Sequence, residues 1–276
     1  MTLTAPKLDR SLSGSVAGIL AAIAIGLAVG RPAAQEPRRL VWVGAHADDE
    51  VAAGPLLARY ARESVQVFLV IVSDGSQGGS NTTIPVGPEL ARARGEEARC
   101  SAQALGAQPP IVLGFPDGHL GDYIGDRTRI YQMTERVHAE LQRLRPDVVL
   151  TWGPDGGTGH PDHRIVSAVV TQLVRAAAPG VPERLFYASL PAAAMSAMNP
   201  ARGAPPLMIP APKYFSTHVA FTAADLEASR RSMACHKTQY NEDMLRRVSG
   251  VDPFNGRLSL VPAFSGAGAD SVFAPR

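Results

Sequence analysis

Leu40-Val41-Trp42-Val43-Gly44-Ala45-His46-Ala47-Asp48-Asp49-Glu50 is the stretch that decides the fold. Its first six residues read as a buried strand, and the chain runs from them straight into an imidazole and three carboxylates. Downstream, Glu50 to Arg62 has a helical pattern, and Val65 to Val72 is the strongest strand signal in the chain. A polar, glycine-rich loop follows, Ser73 to Gly87. Glu89 to Leu105 reads as a helix stopped by Gly106, and Ile111 to Gly114 as a short strand. Ile130 to Leu144 is amphipathic and ends at Arg145-Pro146, before a strand over Asp147 to Thr151. A loop, a second polar cluster and a helix to about Ala177 come next, and Arg184 to Ser189 reads as another strand.

This βαβα alternation predicts the α/β class: a Rossmann-like, mainly parallel sheet with helices on both faces. In such sheets sites form beyond the carboxyl ends of strands. Both polar clusters lie there, one after the first strand and one after the fourth. The alternation is lost after Leu190. Pro191 to Pro212, dense in Ala, Pro and Met, reads as a long loop, and Ala223 to Gln239 returns to helix. No internal repeat is visible.

The second cluster is His160-Pro161-Asp162-His163. Together with Ala45 to Glu50 it holds three imidazoles and four carboxylates in ten residues. Side chains at i and i+3 share one side of a helical turn. His46 and Asp49 can therefore point at one centre, as can His160 and His163. Imidazole and carboxylate are ligands of Zn²⁺, and a catalytic zinc keeps three protein ligands with one position open. His46, Asp49 and His163 make such a set, which leaves Asp48, His160 and Asp162 for chemistry. The competing reading makes His46 a packed histidine and the carboxylates helix N-terminal charge. It does not account for His160 and His163.

His46-Ala47-Asp48-Asp49-Glu50 resembles the H-P-D-D-E motif of the PIG-L/LmbE family of zinc-dependent de-N-acetylases, and Gly159 to Arg164 resembles that family's second motif. The resemblance runs from about Leu40 to about Gln239. It implies that His46, Asp49 and His163 bind zinc, that Asp48 is the general base, that His160 assists at the transition state and that Asp162 orients it. It implies hydrolysis of the acetyl group from the amine of an N-acetylated sugar or glycoconjugate. Ala47 replaces the family's usual proline, and Thr158 stands where some members carry a tyrosine. Ser73 to Gly78 is similar to the family's T-x-G-x-x-G loop. Arg94-x-x-Glu97 is similar to its R-x-x-E, where the arginine faces the substrate; a solvated helix face is an equal reading. The resemblance gives Asp117 a sugar-binding or supporting role. His236 to Gln239 is similar to H-x-S-Q, but His236 stays outside the primary site. His119, His138 and His218 receive no functional reading.

Three alternatives stand beside this one. The same site could cleave an acetyl ester. A non-catalytic carbohydrate-binding relative would be expected to have lost Asp48 or a ligand, and all are present. A His₂-carboxylate set also suits a non-haem Fe(II) oxygenase, against which the surplus carboxylate of Asp48 argues.

The chain has 276 residues, 45% of them apolar, and a net charge of +2 with scattered basic residues, so nothing points to a nucleic-acid partner. The expected partner is a small-molecule or glycan substrate. Lys7 and Arg10 precede an apolar run from Val16 to Gly30, with small residues and a proline after it. That order describes a signal peptide over residues 1–34, followed by the deacetylase-like domain over 35–276. An uncleaved membrane anchor ranks second and a buried core helix third. Export places the enzyme in the periplasm or medium, with membrane contact only through this segment. In that compartment one disulfide is allowed between Cys100 and Cys235. Their distance in sequence favours two separate, buried small residues.

Overall fold

Strand β1 (Arg39–Gly44) is fully sandwiched, and its side chains alternate between two cores. Leu40 and Trp42 join one apolar cluster, Val41 and Val43 the other, as the two-residue period of a strand requires. The computed structural model describes residues 36–189, 210–249, 252, 254–264 and 270–274. Pro37–Arg276 is one compact unit. The signal or anchor segment and most of the Pro191 to Pro212 loop lie outside the described residues. Among the described residues, no helix is long and apolar enough to cross a membrane.

β1 pairs in parallel with β2 (Gln66–Ser73) on one side and β4 (Val148–Trp152) on the other. β3 (Ile111–Phe115) lies outside β2, and β5 (Leu185–Ala188) outside β4. The chain therefore builds outward from β1 in one direction, then returns and builds in the other. The crevice between the carboxyl ends of β1 and β4 is the switch point where such sheets bind ligands. Helices α1 (Gly54–Arg62) and α2 (Pro88–Leu105) pack on the Trp42 face through Leu56, Leu57 and Leu105. Helices α3 (Arg127–Leu144) and α4 (Pro161–Arg175) cover the Val41 face through Met133, Leu141, Val166 and Val170.

Several boundaries differ from the sequence reading for local reasons. Asp49–Ala52 is a 3₁₀ turn, and α1 begins only at Gly54, with Pro55 in its first turn. α3 starts at Arg127, earlier than the apolar periodicity suggests. The Asp126 carboxylate accepts from Thr128 N and Arg129 N at 3.0 Å each, and this cap sets the start.

The larger difference is at the far edge. The sheet continues as β5-β7-β6, with β6 (Thr217–Ala220) and β7 (Arg257–Pro262) in antiparallel pairing. Neither strand was expected. Both are short, and a strand of four residues owes its existence to its neighbours more than to its own pattern. The expected helix to Gln239 stops at Cys235 as α5 (Ala223–Cys235), and a turn carries the chain to α6 (Glu242–Ser249). α5 packs against α2, which brings Cys235 to Cys100 with Cα atoms 5.7 Å apart, and the two form a disulfide. The reading of two separate buried residues is thus corrected. Cys100 is exposed rather than buried, and helix packing supplies the proximity that sequence distance hid.

Candidate metal centre

Asp49 is pinned through one oxygen and offers the other. Its Oδ2 accepts from Ala45 N at 2.6 Å and His46 N at 2.9 Å, so Oδ1 projects into the crevice. Gly44 makes room for this turn: a Cβ there would lie 2.9 Å from Asp49 Cβ. Asp49 Oδ1 stands 3.0 Å from His163 Nε2 and 3.7 Å from His46 Nδ1, and those two nitrogens are 3.0 Å apart.

The far nitrogen of each imidazole is already engaged. His163 Nδ1 lies 2.9 Å from the Gly156 carbonyl, to which it can only donate. His46 Nε2 faces Asp162 Oδ2 and Asp117 Oδ1, each at 3.3 Å, again acceptors. Each ring thereby turns a lone pair toward the other and toward a carboxylate oxygen, an arrangement that only a cation or a proton relieves. Arms of about 2.0–2.2 Å in tetrahedral geometry place ligand atoms about 3.3–3.6 Å apart. The observed 3.0, 3.0 and 3.7 Å straddle that range. The donor set fits zinc in number, type and orientation.

Electrostatics agrees. Burial opposes charge on His46, yet hydrogen bonds to Asp162 and Asp49 and the charges of Asp49 and Asp117 lift its pKa from 6.5 to about 10. Burial likewise opposes charge on Asp49, and His163 and His46 hold its carboxyl well below the usual range. Asp117 and Asp162 are also lowered against burial, in both cases with His46 as the leading favourable partner. The same carboxylates that favour positive charge on the His46 ring favour a cation beside it.

The second motif is built as a helix start. His160 is the N-cap of α4, Pro161 its first residue, and Asp162 lies in its first turn. His160 Nδ1 accepts from Asp162 N at 3.1 Å, which leaves Nε2 as the ring's N–H. Burial, then the charges of His46 and His163, lower the His160 pKa. Asp162, expected to align His160, reaches it only through this backbone bond. Its carboxylate lies against His46 Nε2 and accepts from Gly121 N at 2.9 Å. His163 is stacked on Trp152, ring centroids 4.9 Å apart and planes within 3°. Gly157, at φ +61°, allows the loop to cross that indole, since a Cβ there would lie 2.2 Å from Trp152.

Arg94 and Asp117 adjoin the same crevice and are nearly inaccessible. Arg94 donates to Asp117 Oδ2 at 2.9 Å and to Asp48 Oδ1 at 3.2 Å. Asp117 also accepts from Gln77 N and Gly78 N, at 3.1 and 2.9 Å. The crevice opens into a cavity of about 440 Å³. All of its sequence-predicted members except Asp162 line it; Asp162 lies just behind His46.

Among the lining residues that sequence reasoning missed are Trp152, Gln239 and Tyr240. Trp152 stands at the carboxyl end of β4, a position that could have flagged it. Gln239 closes the H-x-x-Q segment that was left outside the site. Tyr240 carried no signal. Its hydroxyl lies 3.4 Å from Asp48 Oδ2, and burial with the charges of Asp48, Glu50 and Asp49 pushes its pKa well above 10. Below it, His236 is buried and paired with Glu50 at 2.6 Å.

The fold and site together define an α/β protein with a His/carboxylate centre at the sheet's switch point. Residues 41–174 match the family model described as PIG-L, GlcNAc-PI de-N-acetylase. The chain is 29% identical over 238 residues to a 1D-myo-inositol 2-acetamido-2-deoxy-alpha-D-glucopyranoside deacetylase of Corynebacterium urealyticum, covering 74% of this chain and 71% of that protein. Several further relatives of the same name are covered over about half their length. Among solved structures, an N,N'-diacetylchitobiose deacetylase from Pyrococcus horikoshii superposes with a TM-score of 0.56 at 18% identity, covering 76% of this chain and 74% of that one. A 4-carboxy-2-hydroxymuconate hydratase from Pseudomonas putida gives the same TM-score at 17% identity, covering 85% and 99%. At such identities the likeness is one of fold, and the fold carries more than one reaction.

Proposed function

We propose that this chain is a zinc-dependent amide hydrolase that removes an acetyl group from the amine of an N-acetylated sugar or glycoconjugate. The observation that carries it is the convergence of His46 Nδ1, His163 Nε2 and Asp49 Oδ1 on one point, with the Asp48 carboxylate beside them. The names of the deacetylase relatives support the substrate class.

His46, Asp49 and His163 hold the metal. Zinc bound there supplies Lewis acidity, which makes a water nucleophilic near neutral pH and polarises the amide carbonyl. Asp48 accepts a proton from the attacking water as the oxygen adds to the acyl carbon. His160 Nε2–H donates to the oxygen that gains charge. Asp48 returns its proton to the amine nitrogen as the carbon–nitrogen bond breaks, and acetate and a free amine leave. Arg94 keeps Asp48 and Asp117 in place, and Asp117 and Asp162 hold the His46 ring.

The test is amine release by zinc-loaded protein from N-acetylglucosaminyl-inositol, N,N'-diacetylchitobiose and acetylated glycopeptides, with acetyl esters as a parallel arm. Asp48→Asn should retain zinc and lose roughly 10²–10⁴-fold in kcat. Failure of every amide substrate, or a near-normal Asp48→Asn, would refute the reading.

We also propose export or membrane anchoring. Lys7, Arg10 and the Val16 to Gly30 run support it, as does a solvent-exposed disulfide, which persists in oxidising compartments. Fractionation of the full-length chain decides; a cytosolic protein with an uncleaved N-terminus refutes it.

A further inference from the structure

Asp48 is gripped from two sides. Arg94 Nη2 donates to its Oδ1 at 3.2 Å, and the Tyr240 hydroxyl donates to its Oδ2 at 3.4 Å. One donor on each oxygen fixes both the position and the plane of a carboxylate. The two donors come from distant parts of the chain. Arg94 belongs to α2, and Tyr240 ends the turn that follows α5.

That turn is fastened to the elements that carry the centre. His236 pairs with Glu50, two residues beyond Asp48. Thr238 donates its N–H and hydroxyl to the two oxygens of Glu97, at 2.9 and 2.7 Å. Asn81 N and Nδ2 donate to the carbonyls of Thr238 and Lys237, and Gln239 Nε2 donates to the Gly78 carbonyl at 2.6 Å. The disulfide at Cys235 ties the start of the turn to α2. Five independent fastenings on five residues hold a phenol at the rim of the cavity.

We infer that Tyr240 is a positioning residue for Asp48, donating through its hydroxyl so that the carboxylate faces the reacting centre. This rests on the proposed hydrolysis for its kinetic consequence, but not for its structural one. Tyr240→Phe keeps the ring and its packing and removes only the donor. In the zinc-loaded variant, kcat should fall about ten- to a hundredfold, the loss expected for a hydrogen bond to a charged group. KM should stay within about twofold, and zinc content should not change. An unchanged kcat overturns the inference. So does a raised KM at constant kcat, which would make Tyr240 a substrate contact. A crystal structure of Tyr240→Phe gives a readout without turnover: the Asp48 carboxylate should swing off the position it holds in the wild-type protein. A carboxylate that has not moved overturns the inference even if no substrate is hydrolysed, whereas a silent wild-type enzyme alone refutes only the proposed function.

Discussion

Two regions of this molecule meet at one cavity. Arg39 to Ala188 builds the parallel strands β1 to β5 and delivers His46, Asp49, His160 and His163 from strand ends. Thr217 to Pro262 builds the antiparallel edge with α5 and α6 and delivers Gln239 and Tyr240 from a turn. In the first region position follows from topology: a residue just past a central parallel strand is at the switch point by construction. In the second, position follows from bonds across 186 residues from Glu50 to His236 and 141 from Glu97 to Thr238. The family match covers residues 41–174, inside the first region. The reactive centre lies inside that match. The facing wall is tied to it by side-chain bonds rather than by strand ends, so a change there can alter the cavity while the ligand set stays in place.

The hardest blow to this division comes from a ligand. His163→Ala removes one of three ligand atoms, and the remaining pair should bind zinc weaker by well over the roughly 10–100-fold typical of losing a supporting residue. Elemental analysis after gel filtration should find most of the metal gone and activity with it. The sheet should survive, because His163 caps a crevice rather than a core. By contrast, Tyr240→Phe should keep its zinc. Full occupancy in His163→Ala would remove that residue from the set, and metal loss in Tyr240→Phe would erase the distinction between centre and wall.

The sequence legibility of the two regions differs for the same reason. Leu40 to Ala45 and Val65 to Val72 announce themselves by apolar runs, and the polar clusters mark where those strands end. Helix starts were less legible where one side chain decides them, as Asp126 does for α3. β6 and β7 were invisible because β7 is held between β5 and β6, and β6 by β7, with little pattern of their own. Tyr240 was invisible because its meaning lies in what it touches. His236 was visible through its motif yet was set aside as a lone histidine on a late helix, and its partner Glu50, 186 residues away, gave no sign of the pairing. The cysteines failed likewise: 135 residues of separation concealed two adjacent helices.

A smaller effect is expected from that disulfide, which joins the two regions. Cys100→Ser with Cys235→Ser opens a long loop of the unfolded chain and should cost about 2–4 kcal/mol of stability. Denaturant unfolding of zinc-loaded protein measures it. The exposed Cys100 makes dithiothreitol a second route to the same state. Zinc content should be unchanged, since no ligand lies on α2 or α5. An unaltered midpoint in both reduced and Ser-substituted protein would mean that the wall is held by its bonds to Glu50, Glu97, Asn81 and Gly78 without help from the disulfide.

The smallest effect lies at the outer end of α5, where Asp225 both caps its helix and reaches the first region. It accepts from Thr222 N and Oγ1 at 2.8 Å each and from Arg62 Nε on α1 at 2.8 Å. Burial raises its pKa, but the Arg62 and Thr222 bonds win and hold it at about 2, below the ordinary 3.8. A depressed carboxylate stabilises the fold fully above its unfolded pKa, and the contribution is lost as pH falls through the folded value. Asp225→Asn should therefore cost about 1 kcal/mol near neutrality, the worth of a cap with a screened ion pair. The difference from wild type should shrink between about pH 4 and pH 2. Thermal unfolding across that window measures it. A gap that stays constant into acid would mean that the capping geometry matters and the charge does not, so that α5 is joined to α1 by packing rather than by the Arg62 pair.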